Sequence, residues 1–120
     1  MHELAIAVNI LEIADTELKN RGISSPAVNI SVKIGKMSGI SPEALEVGFK
    51  AARREYPLFH EADLIIKEDP VIVSCAACGV DFQISEPFFC CKKCEGPVTV
   101  KSGREMTVEG IEIRDERVTK

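Results

Sequence analysis

The chain opens with a stretch in which apolar residues recur every three to four positions, from residue 4 to residue 20. One stripe holds Leu4, Val8, Leu11 and Leu18, and the residues that widen it are Ile6, Ile10, Ile13 and Ala14. Gly22 is suited to the left-handed position that ends a helix, and Pro26 prevents a restart nearby. The pattern predicts an amphipathic helix that buries this stripe.

Strict alternation of apolar and polar residues follows, and this is the period of a half-buried β-strand. The apolar positions of the first predicted strand are Val28, Ile30, Val32 and Ile34, and those of the second are Ala62, Leu64 and Ile66. A third strand carries Met106 and Val108 in one parity, with Ile111 and Ile113 in the other. A bulge at Glu109-Gly110 would bring both pairs to the same face.

A second helix is predicted between the first two strands. Ser41-Pro42-Glu43 has the order of an N-cap, a first-turn proline and an acidic first-turn residue. Helical spacing then places Leu45, Phe49 and Ala52 on one face, and Tyr56-Pro57 ends the segment. The order of elements predicts an α+β fold, in which a three-stranded sheet is packed with two helices and a small zinc-ribbon domain is added.

The domain division follows from where the large apolar residues lie. Residues 1–70 and 104–120 hold enough of them for one modest core, whereas residues 71–103 hold few. We therefore expect the 71–103 domain to depend mainly on a bound metal for its stability.

Composition narrows the classes of function. Lys and Arg total 15 against 19 Asp and Glu, and the net charge of −4 does not favour non-specific nucleic-acid binding. Apolar runs are too short for a membrane span, and no secretory signal is recognisable. We expect a cytoplasmic protein whose five cysteines bind metal rather than form disulfides.

Two C-x-x-C pairs, Cys75 with Cys78 and Cys91 with Cys94, carry the clearest chemistry. Four thiolates in two short turns form a closed tetrahedral shell that suits Zn²⁺ and leaves no open position for catalysis. An iron–sulfur centre is the main competitor. Cys90 permits an alternative pairing with Cys94, although the symmetrical spacing favours Cys91.

The amino terminus, Met1-His2-Glu3, offers a second set of donors. The free α-amine of Met1, the amide nitrogen of His2 and its imidazole can chelate one cation, and nitrogen donors in this arrangement favour Ni(II) or Cu(II). The amide or the carboxylate of Glu3 could supply a fourth donor. On chemistry alone a frayed terminus is the commoner explanation. His60 is expected to be a solvated surface residue.

Together these features resemble the HypA/HybF family of hydrogenase-maturation nickel chaperones. The matching segments are Met1-His2-Glu3-Leu4, the strand ending at Gly35, Ser41 through Leu45 to Phe49, both C-x-x-C pairs with Gly79, Ser102 to Met106, and Ile111-Glu112-Ile113. The resemblance implies a nickel-binding domain, with Ni(II) held around His2, and a zinc-binding domain. Departures are Cys90, where a thiol is unusual, and Glu95, where glycine is common.

The resemblance also implies partners. The family passes Ni(II) to the large subunit of [NiFe]-hydrogenase together with the nickel GTPase HypB, and some relatives serve urease. A second copy of the chain is a further candidate partner, whereas nucleic acid and membrane insertion are not expected.

Two other classes of function compete with this interpretation. A zinc-ribbon module that binds nucleic acid or a transcription complex is the leading alternative. Residues 68–104 carry four positive and five negative side chains, so this segment lacks the basic stripe such a module needs. An enzyme is not expected, because the chain has no phosphate-binding glycine loop and no nucleophile elbow.

Overall fold

A computed structural model describes residues 2–84, 90–91, 93–114 and 117–119, and of His2 and residues 117–119 it describes the backbone alone. The helices of this part of the chain are α1 (His2–Asn20) and α2 (Pro42–Ala52), with 3₁₀ turns at Arg53–Glu55 and Pro57–Phe59. The strands are β1 (Ala27–Gly35), β2 (Asp63–Asp69), β3 (Val71–Cys75), β4 (Val80–Ile84), β5 (Val98–Ser102), β6 (Met106–Ile113) and β7 (Arg117–Thr119). Neither helix is long and apolar enough to cross a membrane.

The strands form two sheets, one with the order β2-β1-β6-β7 and one with the order β4-β3-β5. The predicted α+β class is confirmed, and the three predicted strands, β1, β2 and β6, are neighbours in the first sheet. That sheet has four strands rather than the three expected, because β7 pairs antiparallel with β6. Three residues are too few for an alternating pattern to be recognised in a sequence.

Helix α1 buries a stripe that is rotated from the predicted one. The residues of its buried face are Ala7, Ile10, Leu11, Ala14 and Leu18. Leu4 and Val8, which the pattern placed on this face, are 51% and 38% exposed. The sequence pattern weights large side chains, but helices approach closely through small ones. A Cβ atom added to Gly48 of α2 would lie only 3.2 Å from the Cα of Leu4.

The predicted helix ends are confirmed. Gly22 has a φ of +68°, and Ile23 N–H donates to the Leu18 carbonyl at 2.9 Å, as in a Schellman motif. At the start of α2 the Ser41 side chain accepts a hydrogen bond from the Ala44 N–H at 3.3 Å. The buried face of α2 includes the predicted Leu45 and Phe49.

Strand β6 changes its buried parity as predicted, from Val108 to Ile111 and Ile113. The β-bulge proposed to explain this change remains a prediction.

The chain divides into two compact units. The first contains Met1–Lys33, Ile40–Lys67 and Thr107–Lys120, and the second contains Ile34–Gly39 and Glu68–Met106. Fully buried side chains of the first unit include Ile10, Leu11, Leu18, Ile30, Phe49, Phe59 and Ile111. The buried apolar cluster of the second is Val71, Val73 and Ile84, with Met37, Phe82, Val98 and Val100 packed partly buried against it. The predicted division into domains of 1–70 with 104–120 and of 71–103 remains a prediction.

Candidate metal centre

The first C-x-x-C pair sits in the tight turn between β3 and β4. Cys75 is the last residue of β3 and pairs with Val80, the first residue of β4. The Gly79 N–H donates to the Cys75 carbonyl at 2.8 Å, and Gly79 adopts a φ of +69° to close the turn. Cys75 also pairs with Val98 at the start of β5, so the central strand of this sheet ends at the first thiol.

The second pair forms an equivalent turn. The Glu95 N–H donates to the Cys91 carbonyl at 2.8 Å, which repeats the bond from Gly79 to Cys75. Glu95 has a φ of +59° and is the only described non-glycine residue with a positive φ. The departure at Glu95 therefore leaves the turn intact, but it places a side chain in a conformation that favours glycine.

The four predicted thiols converge. Their Sγ atoms all lie within 4.8 Å of one another, with 3.6 Å between Cys75 and Cys94 and 3.7 Å between Cys78 and Cys91. A tetrahedral zinc ion with Zn–S bonds of about 2.3 Å requires S–S separations of about 3.8 Å. The spacing of the donors therefore fits a single zinc ion.

Backbone N–H groups point at the sulfurs, as in a metal knuckle. Cys78 N–H lies 3.4 Å from the Cys75 Sγ, and Lys93 N–H lies 3.4 Å from the Cys91 Sγ. Cys75 and Cys91 are buried, whereas Cys94 is exposed. The fifth cysteine, Cys90, is partly buried and pairs through its backbone with Pro97. It is not a member of the four-thiol group.

Electrostatics within the cluster prepare it for a cation. Hydrogen bonds from the backbone N–H groups of Cys94 and Lys93 lower the pKa of Cys91 to about 6. Hydrogen bonds with Cys94, Cys91 and Cys75 raise the pKa of Cys78 to about 12. A thiolate is thus present at Cys91 at neutral pH, and binding of the metal must displace the remaining protons.

The amino-terminal donors are described only in part. Met1 lies outside the described residues, and His2 is described only as the first residue of α1. The Glu3 carboxylate accepts a hydrogen bond of 3.0 Å from the N–H of Ser41, the N-cap residue of α2. This bond and one from its own N–H lower the pKa of Glu3 to about 2. The carboxylate considered as a metal donor therefore also has a protein partner.

Sequence reasoning did not find the contact between Glu3 and Ser41. The N-cap signature at Ser41 was visible, but nothing local indicates that a carboxylate 38 positions earlier would reach its N–H. His60 is exposed and hydrogen-bonds through Nε2 to the Arg54 carbonyl at 3.0 Å, which agrees with the predicted surface position.

Comparison with known proteins decides the family. Residues 1–113 match the family described as "Hydrogenase/urease nickel incorporation, metallochaperone, hypA". The chain belongs to the HypA family. The resemblance stated from the sequence is thereby confirmed, and the family is one of metallochaperones rather than enzymes.

Curated relatives agree with this assignment. The chain is 37% identical over 117 residues to hydrogenase maturation factor HypA of Desulfosudis oleivorans, covering 96% of this chain and 100% of the relative. It is 34% identical over 116 residues to hydrogenase maturation factor HypA of Desulfatibacillum aliphaticivorans, covering 96% and 88%.

The fold is also that of solved HypA structures. The solution structure of the Ni metallochaperone HypA from Helicobacter pylori superposes with a TM-score of 0.69 at 21% identity, covering 92% of this chain and 96% of that one. A second HypA solution structure gives a TM-score of 0.72 at 23% identity, covering 97% and 98%.

The left-handed conformation of Glu95 generates a first prediction. Glu95→Gly should raise the free energy of unfolding of the zinc-loaded protein by about 1 kcal/mol, because relief of the strain exceeds the entropy that glycine adds to the unfolded chain. Gly79→Ala is the matched opposite. Its added Cβ meets no atom within 4 Å, so only the backbone is strained, and we expect a loss of about 1–2 kcal/mol. Denaturant unfolding measures both, and an unchanged or lower stability for Glu95→Gly would contradict the argument.

The Glu3 carboxylate generates a second prediction. Its pKa is lowered from 4.5 to about 2 in the folded protein, so its stabilising effect is complete above pH 4.5 and disappears as the pH falls towards 2. The stability difference between wild type and Glu3→Gln should follow this course in denaturant titrations. Glu46→Gln, at an exposed position of α2, is the control. A difference for Glu3→Gln that is independent of pH would exclude the proposed role of the Ser41 hydrogen bond.

Proposed function

We propose that this protein binds Ni(II) at its amino terminus through Met1, His2 and Glu3 and delivers it for maturation of [NiFe]-hydrogenase. The observation that carries the proposal is the family match over residues 1–113, which includes the Met-His-Glu start. The zinc ion held by Cys75, Cys78, Cys91 and Cys94 has a structural role in this proposal.

The chemistry of the amino terminus supports nickel as the cargo. Amine, amide and imidazole nitrogens form fused chelate rings and favour a square-planar ion over tetrahedral zinc. Because the Glu3 carboxylate bonds to the N–H of Ser41, we favour the backbone nitrogen of Glu3 as the fourth donor. Such a site uses only the end of the chain, so the ion can be exchanged with a receiving protein.

The four-thiol centre suits the opposite task. Its sulfurs lie close enough to surround one ion completely, and a closed shell of four thiolates leaves no position for a substrate or for exchange. The second unit has a buried apolar cluster of only three residues. Zinc binding would therefore supply much of its folding free energy.

The partners proposed follow from the family. Its relatives are named hydrogenase maturation factors, and we propose that the chain acts in the cytoplasm with the GTPase HypB and the hydrogenase large subunit. The family description also names urease, which is the alternative client. A second copy of the chain is a further partner to be examined.

Removal of the imidazole tests the nickel site. In untagged protein, His2→Ala should weaken Ni(II) binding by more than roughly 100-fold, because losses of 10- to 100-fold are typical of residues that only support a ligand. Isothermal titration with Ni(II) and elemental analysis measure nickel affinity and zinc content together. His60→Ala, which removes the other histidine, should leave both unchanged. Loss of zinc in His2→Ala would refute the separation of the two metal sites.

Nickel binding should also depend on pH. The α-amine and the imidazole must lose their protons to bind the metal, and their ordinary pKa values are about 7.7–8.0 and 6.5. Affinity should therefore fall progressively as the pH is lowered from about 8 to 6. Titrations across this range measure it, and a constant affinity would require donors other than these two nitrogens.

A further inference from the structure

The loop between β1 and α2, residues 36–41, contributes one residue to each of the two units. Met37 packs against the buried cluster of the second unit, whereas the N–H of Ser41 bonds to Glu3 within the first. Ser38, Gly39 and Ile40 are the only residues between them. The chain therefore passes directly from the core beside the four thiols to a residue that holds the amino-terminal end of α1.

At the zinc end the loop is fixed by its backbone as well as by Met37. Lys36 N–H donates to the Asp69 carbonyl at 3.0 Å, and Met37 N–H donates to the Gly103 carbonyl at 2.7 Å. These bonds hold the loop against the segments that enter and leave the second sheet. A Cβ atom on Gly35 would lie 2.1 Å from the backbone of Gly103, so the two strands of chain are in direct contact.

The Met37 side chain packs on a core that is continuous with the metal ligands. Val73, which is fully buried in this core, lies in β3 two residues before Cys75. Because the cluster contains so few apolar side chains, it depends on the metal to remain assembled. The packing site of Met37 should therefore exist only when the thiols are bridged by zinc.

At the other end, Ser41 joins two helices. Its side chain caps α2 by accepting from Ala44 N–H, while its own N–H donates to the Glu3 carboxylate at 3.0 Å. Three intervening residues span at most about 10 Å, so they can absorb little displacement. A loop released at Met37 would allow Ser41 to move away from Glu3.

We propose that residues 36–41 couple the two metal sites, with Met37 as a positioning residue. Zinc at the thiols fixes Met37, the short loop fixes Ser41, and Ser41 holds Glu3 in the place that the nickel donors require. Zinc loading consequently raises nickel affinity. The nickel part of this inference rests on the proposed function, whereas the effect of zinc on Ser41 does not.

Amide hydrogen exchange measured by NMR in the absence of nickel tests the loop itself. Exchange of the Ser41 amide should accelerate about 5- to 150-fold, the range typical of coupled sites, when zinc is removed under reducing conditions. The same acceleration is expected in zinc-loaded Met37→Ala but not in Met37→Leu, which retains the volume of the side chain. Val47→Ala, at a position of α2 that is 70% exposed, is the matched control.

The Leu11 amide of α1 shows whether the first unit remains folded in each state. If zinc removal also exposes Leu11, the zinc-loaded Met37→Ala protein decides the outcome. Ser41 exchange that is unchanged in that variant would overturn the proposal.

Nickel titration of the same proteins separates the two proposals. Zinc-loaded wild type and Met37→Leu should bind Ni(II) about 5- to 150-fold more tightly than zinc-depleted wild type or zinc-loaded Met37→Ala. Equal affinity in all four would refute the coupling and leave the nickel site standing. If untagged wild type binds no nickel in either state, the proposed function fails, and Ser41 exchange still decides whether zinc controls the loop.

Discussion

The convergence of four thiols at one end of the second sheet is the interaction on which the architecture of that unit depends. A sheet of three short strands around Val71, Val73 and Ile84 buries too little apolar surface to offset the entropy of ordering its chain. A bond between one ion and four sulfurs does what a larger core does elsewhere. The two turns with positive φ, at Gly79 and Glu95, exist to bring those sulfurs together.

The amino-terminal unit is built on the opposite principle. Two helices and a four-stranded sheet bury large apolar side chains such as Phe49, Phe59 and Leu18, so this unit has a core that needs no ion. Its chemistry lies at the end of α1, and the Glu3 carboxylate there is held by the N-terminus of α2. Apolar burial therefore frees the terminal nitrogen atoms for the proposed exchange of a metal, because the fold does not require them.

The family assignment and the geometry answer different questions. The match over residues 1–113 establishes that the chain belongs to a group of nickel-incorporation metallochaperones. It does not explain why Glu95 is tolerated in place of glycine, whereas the hydrogen bond from its N–H to the Cys91 carbonyl does. Nor does it indicate that Met37, from the loop after β1, packs in the core of the zinc-binding unit.

The sequence by itself determined what depends on neighbouring residues: helix and strand periods, the caps at Gly22 and Ser41, and the turns that C-x-x-C pairs form. These features are local, so their physical causes lie within a few positions of one another. Only the tertiary structure decided that Leu4 and Val8 are exposed, that Glu3 meets Ser41, and that β7 extends the sheet. Each of these depends on contacts between distant segments, where close packing of Gly48 and the direction of a single N–H group outweigh any periodic signal.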